Sequence, residues 1–115
     1  MSVDPKLRAL PPHQLSINLP VRVAGSPHTF LLVDLSTLGM KLSGPVVLQV
    51  GESHDFVIDL GVVPSISPSR LTLCGEVRWH SPDDAPDRTL IGVRFASLDP
   101  ETHVAVANII DRLAL

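Results

Sequence analysis

Apolar and polar residues alternate along several short stretches of this chain, a pattern typical of half-buried β-strands. The first such stretch covers residues 17–23, where four apolar side chains occupy every second position: Ile17, Leu19, Val21 and Val23. Pro20 lies inside it and indicates an edge strand or a bulge. The same period and the turn residues between stretches predict further strands at 28–33, 38–42, 56–60, 70–80 and 88–95.

The end of the chain follows a different period. Asp99-Pro100-Glu101 is typical of a helix start, with Asp as N-cap and Pro at the first helical position. Apolar residues then recur at the spacing of one helical face: Val106, Ile109, Ile110 and Leu113. We therefore predict a terminal helix that begins at Pro100 and directs both isoleucines towards the rest of the protein.

These elements predict an all-β domain with a terminal helix. Six short strands in sequence favour an antiparallel sheet that closes into a barrel, with the helix covering one opening. The first residues differ, because Pro5, Pro11 and Pro12 prevent a long helix or a central strand there. We expect residues 1–14 to form a flexible arm and residues 15–115 to form the domain.

Composition limits the choice of partner and compartment. The net charge of −3 and the low aromatic content, 3%, argue against binding to a nucleic-acid polymer. No signal peptide or membrane-spanning stretch is visible, which predicts a cytoplasmic protein without membrane insertion. The lone Cys74 lies in an apolar run and is expected to be a buried thiol in a reducing compartment. Trp79 is expected to be a buried aromatic plug, with an exposed binding anchor as the alternative.

One polar turn stands out between two predicted strands. It has the form Asp-x-Ser-x-x-Gly at Asp34, Ser36 and Gly39. Taken alone, Asp34 and Ser36 could simply cap their own turn, while Gly39 supplies a backbone conformation. Three flanking segments make the pattern more specific through their order and spacing around the turn. They are Leu19-Pro20-Val21-Arg22-Val23, Val77-Arg78-Trp79 and Ile91-Gly92-Val93-Arg94-Phe95.

With those flanks, residues 15–113 resemble the PilZ domain, a bacterial module best known as a receptor for cyclic diguanylate (cyclic di-GMP). The resemblance implies a six-stranded barrel with a C-terminal helix. It also implies two ligand-binding signatures, the Asp-x-Ser-x-x-Gly turn and an Arg-x-x-x-Arg arm before the first strand. Arginine offers a planar fork of donors to phosphate and guanine, and a carboxylate accepts from the N1 and N2 donors of guanine.

The turn is intact in this chain but the arm is not. The two arginine positions should fall near Leu10 and Gln14, or at Arg8 and Pro12 if the spacing is shifted by two residues. Gln14 can donate hydrogen bonds but carries no fixed charge. The candidate ligand-binding residues are therefore Asp34, Ser36, Gly39 and Arg8. Because a charged hydrogen bond contributes about 1.5–3 kcal/mol, losing two should weaken binding about a hundred- to ten-thousand-fold.

Other chemistry finds little support in the sequence. The five histidines include no pair at helical i, i+3 or i, i+4 spacing, and Cys74 has no second cysteine, so we predict no metal site. Ser36 lacks a nucleophile elbow and an evident base, and no glycine-rich phosphate loop occurs. We expect a protein that is not an enzyme and has no cofactor, with cyclic di-GMP as its regulatory ligand if it binds one.

Two functions fit the resemblance. The favoured one is a non-catalytic PilZ-type signalling adaptor in motility, pilus, polysaccharide or biofilm control. Such an adaptor binds cyclic di-GMP weakly or not at all and acts through an unidentified protein partner or self-association. The alternative is a genuine cyclic di-GMP receptor that uses Asp34, Ser36 and Gly39 together with Arg8 or Lys6. The missing arginine pair favours the adaptor.

Overall fold

Six antiparallel strands close into a barrel and one helix follows them, which confirms the predicted fold class. The structure is a computed structural model, and it describes residues 13–64, 66 and 68–115. The elements are β1 (His13–Val23), β2 (Thr29–Leu35), β3 (Gly39–Gly44), β4 (Ser53–Asp59), β5 (Arg70–Pro82), β6 (Thr89–Phe95) and α1 (Pro100–Leu113). Around the barrel the strands are ordered β1-β2-β3-β6-β5-β4, and β4 pairs back to β1.

A bulge in β1 changes the predicted alternation of its side chains. Gln14 pairs with Asp34 and Leu19 pairs with Leu32, so four residues of β1 (15–18) lie opposite one residue of β2. This irregularity turns Ile17 outward, where its side chain is 43% exposed. The prediction that Ile17 belongs to the buried face of β1 was therefore wrong. Leu15, the first residue of the same bulge, is buried instead.

The barrel interior is filled by aliphatic side chains and by Phe30 and Phe56, both fully buried. Along β5 the burial alternates, and Leu73 points inward while Cys74 points outward. The thiol is exposed, which corrects the prediction of a buried Cys74. The apolar residues around Cys74 suggested burial, but the two-residue period of the strand decides which side each one faces.

Helix α1 begins as predicted. The carboxylate of Asp99 accepts a hydrogen bond of 2.7 Å from the backbone amide of Thr102. That bond, with a second from the Thr102 side chain, holds the pKa of Asp99 below its ordinary value. After the helix, Ala114 forms a β-bridge with Leu15, and the amide of Leu115 donates to the carbonyl of Gln14 over 2.9 Å. The end of α1 is thereby fixed to the start of β1.

The predicted solvated loop at 81–87 is held at its base. The hydroxyl of Ser43 donates to a carboxylate oxygen of Asp83 over 2.6 Å, and the Arg88 Nε donates to the Ser43 oxygen over 2.9 Å. The hydrogen bond from Ser43 is the main reason that the pKa of Asp83 lies below its ordinary value. Because β5 continues to Pro82, only the tip of this loop extends beyond the barrel.

The buried stripe of α1 generates a stability prediction. Val106, Ile109 and Leu113 are buried, whereas Ile110 is half-buried against the same core. We expect Ile109→Ala to lower the free energy of unfolding by about 2–5 kcal/mol, because it leaves a cavity between helix and barrel. Ile110→Ala should cost less. Chemical denaturation measures both changes.

The exposed Val104 provides a matched control on the same helix. Val104→Ala should change the free energy of unfolding by no more than about 0.5 kcal/mol. Equal effects of Ile109→Ala and Val104→Ala would contradict the docking of α1 described above.

Candidate functional site

The turn that joins β2 to β3 is built by Ser36 and Gly39. The Ser36 amide donates to the Gly39 carbonyl over 2.9 Å. The Ser36 hydroxyl oxygen accepts from the amides of Leu38 and Gly39 over 3.1 and 3.2 Å, and its proton is directed to the Gly39 carbonyl at 3.3 Å. Ser36 is buried, and these contacts show that its side chain shapes the turn.

Gly39 is required by a close approach between two strands. A Cβ atom at this position would lie 2.2 Å from the carbonyl oxygen of Val93 on β6. The neighbouring amide of Phe95 donates to the Leu38 carbonyl over 2.8 Å, which fixes the turn against β6. The glycine therefore serves backbone packing, one of the two roles that the sequence left open.

Asp34 is already engaged by a neighbouring cation. Its carboxylate lies 2.9 Å from the Lys41 ammonium, and its side chain is only 15% exposed. The two residues are register partners across β2 and β3. Lys41 was not among the predicted site residues, although a tight hairpin around the turn places it opposite Asp34. The carboxylate of the motif thus has an intramolecular partner.

One continuous row of paired residues crosses five strands on the outside of the barrel. Successive pairs in this row are Gln14 with Asp34, Asp34 with Lys41, Lys41 with Gly92, and Gly92 with Trp79. Gln14 is one of the positions where the arm arginines were expected. The structure places it directly beside Asp34, so an arginine there would stand next to the turn motif.

The end of the row depends on a second bulge. Val77 pairs with Val93 and Trp79 pairs with Gly92, so Arg78 is an extra residue in β5. Because of this insertion, both Arg78 and Trp79 point outward. Trp79 is 43% exposed, and the expectation of a buried plug was wrong. Its indole covers Gly92, where a Cβ atom would lie 2.1 Å from the Trp79 Nε1.

These residues enclose a groove of about 450 Å³ between the β2–β3 hairpin and strands β5 and β6. We call it the outer groove. Three cationic side chains line it, from Lys41, Arg78 and Arg94. Arg78 lies 3.9 Å from Glu76, a weak pair because both side chains are half exposed. The Arg94 side chain has no ion-pair or hydrogen-bond partner among the described residues.

The structure brings together most of the predicted site. Asp34, Ser36 and Gly39 all line the outer groove. Arg8 and Lys6 lie outside the described residues, so their place relative to the groove stays a prediction. The candidate residues named from the sequence omitted the three groove cations, Lys41, Arg78 and Arg94, and Trp79 was given only as the alternative to a buried plug. Hairpin register could have identified Lys41, whereas the bulge that exposes Arg78 and Trp79 has no signal in the alternation.

Comparison with protein families gives a decisive match. The family model described as "PilZ domain" matches residues 8–112, which is nearly the entire chain. The chain belongs to the PilZ domain family. PilZ domains are associated with cyclic di-GMP signalling in bacteria. No curated protein sequence matches the chain significantly.

Solved structures share the fold of this PilZ domain at low sequence identity. The PilZ domain of YcgR from Escherichia coli, determined with cyclic di-GMP, is 16% identical with a TM-score of 0.71, covering 89% of this chain and 88% of that one. The motility inhibitor MotI from Bacillus subtilis is 17% identical with a TM-score of 0.67, covering 88% and 49%. A tetrameric PilZ protein from Xanthomonas campestris is 19% identical with a TM-score of 0.56, covering 73% and 43%.

This PilZ domain spans about half the length of MotI. Within the described part of the chain, no helix has the length and apolar character that crossing a bilayer requires. The same described residues contain no group of three or more His, Cys, Asp or Glu side chains that could hold a metal ion.

The contact between Trp79 and Gly92 generates a spectroscopic prediction. Trp79 is the only tryptophan in the chain, so intrinsic tryptophan fluorescence reports this site alone. Gly92→Ala should displace the indole from the barrel wall, because the new methyl group would occupy its position. We expect the emission maximum to move to longer wavelength as the ring becomes more exposed.

Gly61→Ala is the matched control. A Cβ atom at position 61 meets only an Asp59 carboxylate oxygen at 3.1 Å, and position 61 does not line the outer groove. The control should leave the emission maximum unchanged. If Gly92→Ala gives the natural spectrum, Trp79 does not rest on Gly92 in solution.

Proposed function

We propose that this protein is a non-enzymatic PilZ signalling domain that binds cyclic di-GMP weakly in the outer groove. The observation that carries the proposal is the row from Asp34 through Lys41 and Gly92 to Trp79. It aligns a carboxylate, a cation and an exposed aromatic ring on one surface. YcgR, which shares the fold, was determined with the same nucleotide.

Each part of the groove suits one part of the ligand. The carboxylate of Asp34 can accept hydrogen bonds from the N1 and N2 donors of guanine. The exposed ring of Trp79 offers an aromatic face on which a base can stack. Lys41, Arg78 and Arg94 supply positive charge for the phosphates, and the two arginines can do so through bidentate contacts.

The three groove cations raise the affinity for cyclic di-GMP expected from the sequence. The predicted loss of affinity rests on the missing arginines of the arm alone. Lys41, Arg78 and Arg94 provide charge from the barrel wall instead. These cations favour weak binding of cyclic di-GMP over no binding. The receptor function therefore has more support than the sequence alone gave it.

Two features keep the proposed affinity low. Gln14, one of the positions where an arm arginine was expected, lies beside Asp34 and has no charge to offer a phosphate. Lys41 already neutralises Asp34, so a guanine must compete with an existing ion pair at 2.9 Å. Because the Asp34 side chain is mostly buried, this pair is screened by water less than a surface pair would be.

The second candidate function is an adaptor that acts through protein contacts without nucleotide. The Asp34–Lys41 ion pair is the observation that favours it, since it completes the site without a ligand. The partner would then be another protein or a second copy of this chain. Titration with cyclic di-GMP distinguishes the candidates, because only the first predicts saturable binding in the outer groove.

The first functional prediction concerns Arg94. Isothermal titration at low salt should detect cyclic di-GMP binding to the natural protein, with Kd in the micromolar range or weaker. Arg94→Ala should weaken it about ten-fold or more, because a charged hydrogen bond contributes roughly 1.5–3 kcal/mol. Higher salt should weaken binding to the natural protein more than binding to the variant.

Arg112→Ala is the charge-matched control, because Arg112 lies in the last turn of α1 and does not line the outer groove. It should bind as the natural protein does. Absence of detectable heat at millimolar nucleotide would refute the receptor function and leave the adaptor. Equal losses in both arginine variants would show that binding depends on net charge only.

The second functional prediction restores part of the arm. Gln14→Arg should raise affinity for cyclic di-GMP about ten- to a hundred-fold, because it places a guanidinium beside Asp34. Adding Leu10→Arg would complete the Arg-x-x-x-Arg pattern and should raise it further. Asp34→Ala in the double variant should remove much of the gain.

Gln14→Lys separates geometry from charge in this experiment. It adds the same charge without the planar fork of donors, so its gain should be smaller. A gain from Gln14→Lys equal to that from Gln14→Arg would argue against bidentate recognition at this position. No gain from either variant would show that position 14 does not face the ligand.

A further inference from the structure

A second concave site lies on the opposite side of the barrel from the outer groove. It has a volume of about 360 Å³ and is formed by the end of β1, the turn that follows it, β4 and the start of β5. We call it the far-side pocket, and its polar lining consists of Arg22, Ser26, Asp59 and Arg70. The order of strands around the closed barrel places β1 and β4 opposite β3 and β6, so the two sites share no residue.

The cations of this pocket are unpaired. Seven Lys and Arg side chains are described, and four of them are engaged: Lys41 with Asp34, Arg78 with Glu76, Arg88 with Ser43, and Arg112. Among the described residues, the side chains of Arg22, Arg70 and Arg94 have no hydrogen-bond or ion-pair partner. Two of these three line the far-side pocket. In a chain of net charge −3, two unpaired arginines on one concave surface create a local positive potential that favours binding of an anion.

The remaining groups define the chemistry of that anion. The Ser26 oxygen accepts a hydrogen bond from the His28 amide over 3.2 Å, so its own proton stays available for donation. The negative charge of Asp59 is unfavourable for binding an anion. However, one of its carboxylate oxygens accepts a hydrogen bond from the Gly61 amide over 2.9 Å, which directs the carboxylate towards the loop after β4. No ion pair joins Asp59 to Arg70, although the two are register partners.

We propose that the far-side pocket is a second anion-binding site, selective for a phosphate group held between Arg22 and Arg70. Two guanidinium forks and a hydroxyl donor match the oxygens of a phosphate better than a single carboxylate, which offers fewer acceptor atoms. Arg22 on β1 pairs with Val57 on β4, and Val57 pairs with Thr72, close to Arg70 on β5, so a single strand separates the two arginines. The half-buried Val57 lies on that strand and lines the pocket together with both arginines.

The test uses inorganic phosphate titrated into the full chain, with chloride at matched ionic strength, and amide signals followed by NMR. Signals of Ser26 and Val57 should shift saturably with phosphate and much less with chloride. The double variant Arg22→Gln/Arg70→Gln should raise the midpoint roughly ten-fold or more. Arg94→Gln, which removes an equally unpaired arginine from the outer groove, should leave the midpoint at Ser26 and Val57 unchanged.

Asp59→Asn gives a prediction of opposite sign. It keeps an oxygen acceptor for the Gly61 amide but removes the negative charge, so phosphate should bind more tightly. No saturable shift at Ser26 and Val57, or the same midpoint in the natural protein and the double variant, would overturn the proposal. Circular dichroism of each variant confirms that the barrel is folded. None of these outcomes depends on whether cyclic di-GMP binds in the outer groove.

The phosphate group can belong to a small phosphorylated molecule or to a lipid headgroup. Sedimentation with vesicles of equal parts phosphatidylcholine and phosphatidylglycerol separates these sources. If the natural protein sediments with the vesicles and the double variant does not, the site binds the lipid headgroup. A phosphate titration that succeeds without co-sedimentation assigns it to the small molecule.

Discussion

The close approach of β3 to β6 at Gly39 is the constraint on which the barrel and its groove both depend. With the Val93 carbonyl only 2.2 Å from where a Cβ would stand, no other residue allows this pairing. The pairing closes the barrel between the β2–β3 hairpin and the β5–β6 hairpin. It also brings Asp34 and Lys41 from one hairpin onto the same surface as Arg94 and Trp79 from the other.

The groove is therefore a product of register as much as of residue type. The bulge at Arg78 turns Trp79 outward onto Gly92, which lacks a side chain of its own. An aromatic ring that covers a cross-strand glycine keeps apolar surface from water while one face of the ring stays accessible. Without the extra residue in β5, Trp79 would point to the interior and the groove would lose its aromatic wall.

The sequence predicted the elements of this fold well and the details of the site less well. Residues 99–113 contained both a capping pattern and an apolar stripe, so the start of α1 and its buried face followed from local rules. The turn at 34–39 was recognised because its residues are adjacent in the chain. Ile17, Cys74 and Trp79 were misplaced because bulges and strand period, which depend on pairing partners, decide the face of each side chain. The cations of the groove come from three strands, and only the barrel register brings them together.

The structural role of Ser36 and Gly39 in the turn has a consequence for how such domains diverge. Ser36 and Gly39 satisfy the hairpin and the strand contact themselves, so selection for folding alone would retain them in a lineage that had lost its nucleotide. The side chains of Arg94 and Gln14 have no comparable structural role, so these two positions are free to change once binding is lost. Among related chains, these two positions should therefore separate nucleotide receptors from relatives that have lost binding, while Ser36 and Gly39 would be retained in both.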